Sequence, residues 1–367
     1  MFEVESMKKI RSLMLSFVCI LLVLCSLTAC SGEKYPMRES SREEKETVLT
    51  VGGQDVPYEL FRAFFLTRVS ALDSALSWEE KWTEAMPAVL EDISRVYAVF
   101  SLCETYGINP YSKEIDKILQ KRIKVSIEGG EIGGIYMSGY ESYDQYIEAL
   151  EKSYLTDRAA RILLRYQICE EKLLEKLTLP YKSEYQYTED DLKAFYESDA
   201  VRLVVLLCKS TVEFPGVDDI GEYIAELVAQ GREALLDAES EQERINLSMQ
   251  YFRISTPENE IKNGVLISPH AFSKENGAEL LPAAFELNVG EYSEIIRVSS
   301  ATDDYYYIVY LMEKDTSDYK SRAEEIEDLY LRDCFYRELE AEEKKLLDEV
   351  VYTDALTEKE NTEIVFE

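Results

Sequence analysis

One histidine, His270, is all the imidazole this 367-residue chain offers for acid–base work. A Ser or Cys nucleophile needs a base that a third group orients. No Ser/Asp or Cys/Asp partner is identifiable for His270, which follows Pro269 in an expected solvent-facing loop, so a hydrolase lacks its nucleophile–base pair. The seven cysteines form no CxxC and no Cys/His set, which leaves no zinc or other metal site and no cofactor to expect. What remains is non-covalent chemistry. Tyr305 and Tyr307 stand two apart in a β-rich run and share one strand face, where they could line an apolar pocket. Leu280 and Phe285 suit the floor of a peptide groove or a core equally well. Phe61, Phe64, Phe65, Val96 and Phe100 pose the same choice in the first half. An exposed apolar patch above a few hundred Å² there would mark an interaction surface.

The first segment sets the compartment. Lys8, Lys9 and Arg11 precede an apolar run from Leu13 to Leu27, which ends in Leu27-Thr28-Ala29-Cys30. A run of about 15 residues is short of the ~20 that span a bilayer core, and its flanks read as a secretory signal with a lipobox over 1–29. Met7 begins a more usual basic start than Met1. In the bacterial lipoproteins this segment resembles, Cys30 is diacylated and becomes the mature N-terminus, so the expectation is a chain held by lipid on the extracytoplasmic face of a membrane. Residues 30–47 are Glu, Lys, Arg and Ser with little to bury, and read as a flexible tether. A formal charge of -32 excludes nucleic acid as a partner and disfavours attraction to anionic lipid through the protein surface. Cys103, Cys169, Cys208 and Cys334 lie in apolar patterns and read as buried small hydrophobes.

About 300 residues from Val48 onward exceed one compact core, so two domains are expected. Val48 to Val51 reads as a strand, Gly52-Gly53 as a turn, and Asp55-Val56-Pro57 as a Pro-led helix start. Val89, Ile93, Val96, Tyr97, Phe100 and Cys103 recur at helical spacing until Gly107. Five glycines between Glu128 and Tyr140 suggest a mobile loop; with no GxGxxG or Walker spacing they make no phosphate cradle. A helix from about Asp157 to Leu177 carries Ala159, Leu163, Cys169 and Leu173. Mixed α and β character follows, with strands at Val201 to Cys208 and Tyr305 to Met312 and helices at Ile220 to Leu236 and Asn246 to Phe252. A last helix runs from about Tyr319 to Val350, with a frayed end after it. The acidic runs Glu239 to Glu243 and Glu338 to Glu343 read as solvated helix faces.

This order of elements resembles the SurA/PrsA-type foldases. The resemblance rests on Val48-Leu49-Thr50-Val51-Gly52-Gly53, on Ser142-Tyr143-Asp144-Gln145-Tyr146 with Leu155-Thr156 and Leu164-Arg165-Tyr166-Gln167, and on Thr188 to Tyr196. It also rests on Ala283-Ala284-Phe285-Glu286-Leu287 with Gly290-Glu291. It implies an α+β fold, a mainly helical SurA-like chaperone domain (48–198) with an inserted parvulin-like domain (199–315). A helix (316–350) would return to the first domain, and a tail (351–367) would follow. It implies a chaperone for unfolded or secreted polypeptides, anchored through Cys30. Helical domains of this type can dimerise, so a homodimer is compatible.

Parvulin modules place one histidine in Arg-x-x-His-Ile-Leu and a second in the last strand. Here Arg202-Leu203-Val204-Val205-Leu206-Leu207 puts Val205 at the first, and Tyr307-Ile308-Val309 occupies the second. The preceding Cys or Asp falls in Ser255 to Glu260, where Glu258 and Glu260 are on offer. No catalytic residue is assigned, and Val205, Leu280, Phe285, Tyr305 and Tyr307 are the candidate peptide-binding set. The rival readings are an active peptidyl-prolyl isomerase and a non-chaperone envelope scaffold or ligand-binding lipoprotein.

Overall fold

A computed structural model describes residues 35–132, 135–179, 184–209, 220–252, 256–271, 280–299, 304–312, 316–360 and 364. The chain divides into two compact units. Of the described residues, one unit takes those within Lys176–Arg337 and the other those from Tyr35 to Glu175 together with those from Glu338 onward. The segment read as a signal with a lipobox, Cys30 included, lies outside the described residues.

The segment read as a tether is, from Tyr35 onward, packed along the helical unit. Backbone N–H groups of Tyr58 and Glu59 donate to Glu46 and Glu44 carbonyls at 2.8 and 3.0 Å, and Arg62 pairs with Glu44 at 2.9 Å. Strands β1 (Thr47–Val51) and β2 (Gln54–Pro57) then pair antiparallel. Pro57 ends β2 and caps helix α1 (Tyr58–Val69) rather than opening it, with φ -71° and ψ 147°. The residue before a proline prefers extended backbone, which keeps Val56 in the strand. Helix α2 (Trp78–Thr105) starts at a Ser77/Glu80 capping box. Phe61, Phe64, Phe65, Val96 and Phe100 are all buried, so these five are the core of the unit and not an open cradle.

Helix α3 (Lys113–Glu128) leads into a hairpin of β3 (Gly130–Ile132) and β4 (Ile135–Met137), where the glycine count suggested a mobile loop. The glycines close its neck. Gly139 has φ 72°, and a Cβ there would stand 2.2 Å from the Gly129 nitrogen, so two backbones meet where no side chain fits. Helices α4 (Tyr143–Lys152) and α5 (Asp157–Thr178) follow.

The second unit begins with α6 (Glu189–Ser198), opened by a Thr188/Asp191 capping box. Next come β5 (Val201–Lys209), α7 (Ile220–Leu236), α8 (Glu241–Phe252), the short α9 (Glu258–Asn263) and β6 (Val265–Ile267). They are followed by α10 (Leu280–Glu286), β7 (Ile296–Ser299) and β8 (Asp304–Met312). The strands form one antiparallel sheet in the order β6-β5-β8-β7. A 3-10 turn (Thr316–Arg322) precedes helix α11 (Ala323–Asp348), so the last helix starts later than its apolar pattern suggests.

The C-terminal part of α11 belongs to the helical unit, and its acidic run is engaged there instead of solvated. The Tyr106 hydroxyl donates to Glu338 at 2.8 Å and Ser101 Oγ to Glu342 at 2.7 Å. The end expected to fray makes strand β9 (Val351–Tyr352) on β1, and helix α12 (Asp354–Glu360) with Leu356 buried. Thr353 Oγ1 donates to the Thr47 and Val48 carbonyls at 3.0 and 2.8 Å, which fastens this end to β1. The fold is α+β: a helical unit with a small sheet, and a unit built on four strands.

Candidate functional site

The candidate site is one face of the β6-β5-β8-β7 sheet, and strand periodicity decides what each face carries. Val204, Leu206, Cys208, Tyr306 and Ile308 point to the side covered by α7 and α8, where they pack with Ile224, Val228, Leu235 and Phe252 as a closed core. Burial pushes the Cys208 thiol up to about 11, as suits an inert packed cysteine. The alternate residues face the other side. There Leu203, Val309 and Leu311 are buried with Ile267, Leu280 and Ala284, so α10 closes one end of this face.

Further along the strands the cover is incomplete. Val205, Leu207, Tyr305, Tyr307, Ile296 and Val298 are each half-buried. Val205, Tyr307, Ile296 and Phe285 pack against the buried cluster from its open side. The register sets Val205 opposite Val309 and Leu207 opposite Tyr307, with Ile296 opposite Tyr307 on the other flank. Val205 and Tyr307 are therefore diagonal neighbours on one face. Val309 directs its N–H to Ser293 Oγ at 2.9 Å, away from β5. Val205–Val309 and Leu207–Tyr307 thus belong to the closer, non-hydrogen-bonded class of pairs, whose side chains touch. The Tyr305 and Tyr307 rings lie nearly parallel, 16° apart, with centroids 6.5 Å apart.

Two groups outside the candidate peptide-binding set shape this face, Thr256 and Gly264, the latter in the Asn263-Gly264-Val265-Leu266 turn that the sequence presents as a degraded Gly-Asp-Leu-Gly. Strand β6 pairs only with Val201 to Leu203, so beyond it the edge of β5 needs another partner. The Leu207 N–H finds it in Thr256 Oγ1 at 2.8 Å, with Thr256 buried. Gly264, with φ 63°, turns the chain into β6; a Cβ there would stand 2.7 Å from the Leu203 carbonyl oxygen and 2.7 Å from Met312 Sδ. The one signal for Thr256 is its place in the Ser255 to Glu260 segment, where a Cys or Asp is expected and Glu258 and Glu260 are the residues that sequence reasoning offers instead.

The other sequence candidates lie elsewhere. Glu258 is exposed in the first turn of α9, and its ion pair with Lys262 holds its carboxyl below the usual range. The His270 N–H donates at 3.3 Å to Asp333 of α11, which is buried and paired with Arg337 at 2.5 Å. Leu280 is a core residue at 3% exposure, whereas Phe285 is half-buried beside the open end. Among the described residues, no group of His, Cys, Asp and Glu could hold a metal ion, and no helix is long and apolar enough to cross a membrane. The arrangement can bind an apolar peptide side chain by contact and area. The Val205 isopropyl group and the Tyr307 phenol stand at its centre.

No family model matches the sequence, and no curated protein matches it. Among solved structures, the chain is similar to the foldase protein PrsA from Streptococcus pneumoniae, at 17% identity over 77% of this chain and 91% of that chain, TM-score 0.34. It is similar to PrsA from Lactococcus lactis at 16% identity over 86% and 99%, TM-score 0.26. PrsA from Bacillus subtilis gives 17% identity over 83% and 93%, TM-score 0.25.

Proposed function

We propose that this protein is a membrane-anchored extracytoplasmic chaperone of the foldase type, in which the four-stranded unit binds proline-containing or apolar peptide segments without turning them over. The observation that carries the reading is the half-open face on which Val205 and Tyr307 are diagonal neighbours. In the parvulin pattern these are the two histidine positions. A valine and a phenol there keep an apolar floor for a proline ring and remove the imidazole pair. Prolyl isomerisation crosses a barrier of roughly 18–20 kcal/mol by rotation alone, so a site that binds ground and twisted states equally gives no rate gain.

The buried aromatic set of α1 and α2 supports a scaffold role for the helical unit, since Phe61, Phe65 and Phe100 are enclosed. Client contact is accordingly assigned to Val205, Phe285, Tyr305 and Tyr307, with Leu280 supporting them from the closed end of the face. The acidic surface suits basic or unfolded clients, and Cys30 supplies the anchor. The test is refolding of an aggregation-prone secreted protein. Suppression of aggregation should need about equimolar protein, and a hundredth of that amount should neither suppress aggregation nor speed a proline-limited refolding phase. Rescue at catalytic amounts overturns the binding-only reading.

A further inference from the structure

We propose that residues 35–46 form a strap that holds the helical unit against the bilayer surface, with the end formed by the C-terminus of α3 and the N-termini of α4 and α5 nearest the lipid. The proposal rests on the lipid-anchor reading at Cys30 and adds to it an orientation. The strap is fastened at successive points. The Tyr35 hydroxyl donates to Glu128 at 2.9 Å, and its carbonyl accepts from Arg161 at 3.0 Å. The Pro36 carbonyl accepts from the Tyr143 hydroxyl at 3.0 Å. The Arg38 N–H donates to Asp157 at 2.9 Å, while its side chain pairs with Asp144 and lies over the Tyr143 ring, 5.7 Å from the centroid.

Asp157 is 4% exposed and also receives the Tyr143 hydroxyl at 2.7 Å and Arg161 Nε at 3.0 Å, so the strap is bonded into a buried polar cluster. Further along, Ser40 Oγ donates at 2.8 Å to Glu59, which has no exposed surface, accepts from Thr156 Oγ1 at 2.6 Å and is ion-paired with Arg158 at 3.0 Å. A carboxylate so enclosed is stable only with its partners in place. These partners lie within one unit, so the strap forms part of that unit's own structure.

The consequence is a short leash. Four residues, Ser31 to Lys34, separate Cys30 from Tyr35. However drawn out, the five steps from Cys30 to Tyr35 reach at most about 18 Å. As a flexible chain they average roughly 12 Å end to end. A tether free to Thr47 would have about 17 steps, reaching about 60 Å and averaging roughly 23 Å. The docked strap therefore holds Glu128, Tyr143 and Asp157 close to the headgroups without charge attraction, as an acidic chain requires.

The experiment uses the lipidated full chain in vesicles of neutral phospholipid carrying a headgroup nitroxide quencher. A fluorophore sits on Lys124→Cys, one turn before Glu128 on α3, and protein lacking that cysteine serves as background. Flotation reports anchoring, and quenching reports proximity. The wild-type strap should give strong quenching, and Tyr35→Ala with Arg38→Ala should lower it by about half at equal flotation. Equal quenching in both, with both floating, overturns the strap. Flotation that does not depend on Cys30, tested by Cys30→Ala, instead removes the anchor reading. Tryptic cleavage after Arg42 then still decides whether the strap is docked: slow cleavage that accelerates in the double variant supports it, and equally fast cleavage in both refutes it.

Discussion

Truncating Tyr307 and Leu280 in parallel separates groove from core. A tyrosine side chain covers about 150–250 Å² when enclosed. Tyr307 is half-buried, so roughly 50 Å² of it remains open to a ligand. A peptide that covers this area removes about 50 Å² from water, worth about 1.2 kcal/mol at ~25 cal/mol per Å², or about eightfold in Kd. Leu280 is 3% exposed at the closed end of the same face; Leu→Ala at such a site costs about 2–5 kcal/mol of stability. Tyr307→Ala should therefore weaken a proline-containing peptide about eightfold in an amide-shift NMR titration and lower the urea midpoint only modestly. Leu280→Ala should shift the urea midpoint strongly and leave Kd within about twofold while the protein is folded. A Tyr307→Ala affinity equal to wild type, with binding lost in Leu280→Ala under fully folded conditions, refutes the assignment of the open end as the binding surface.

Three further outcomes follow from the same unit and its neighbour. Thr256→Val removes the acceptor of the Leu207 N–H and should cost about 1–3 kcal/mol in urea unfolding, with Thr256→Ser close to wild type. Gly264→Ala forces a Cβ into a left-handed turn against the Leu203 carbonyl and should destabilise by at least about 1–2 kcal/mol, seen as a lower thermal midpoint. Cys103, Cys169 and Cys208 are buried, so a thiol reagent should leave these three unmodified in native protein within minutes and reach them promptly in denaturant.

Elements with a sustained hydrophobic period are legible in the sequence. The α7 helix, Ile220–Leu236, coincides with the span its pattern predicts, and β8 differs by one residue at its start. Features set by distant partners are not legible. Strand β9 has two residues, both exposed, and exists because β1 pairs with it some 300 positions earlier in the chain. Glu338 and Glu342 carry no mark that separates them from solvated residues; their partners Tyr106 and Ser101 lie 232 and 241 positions away. Pro57 is ambiguous for a local reason, because its fixed φ suits the first turn of a helix as well as the end of a strand.

The candidate face is half legible. Alternation sets Tyr305 and Tyr307 on one side of β8 and Tyr306 on the other, and Tyr306 and Tyr307 do pack with opposite cores. The pairing of Val205 with Val309 and of Leu207 with Tyr307 is not legible, because register between strands about a hundred residues apart depends on the whole sheet, and a one-residue slip would reverse every side chain. Burial is not legible either. Leu280 and Phe285 read alike in sequence, and only their places on α10 make one part of the buried cluster and the other its rim.

The central proposal is binding without turnover at the face where Val205 and Tyr307 are diagonal neighbours. Its most direct test is cis/trans exchange spectroscopy of a proline peptide with protein at about one-fiftieth of the peptide concentration. The uncatalysed exchange takes tens to hundreds of seconds, so even modest catalysis is visible. The account predicts an unchanged exchange rate together with shifted or broadened peptide signals that Tyr307→Ala diminishes. Accelerated exchange that Tyr307→Ala abolishes would contradict it and make the protein an active isomerase.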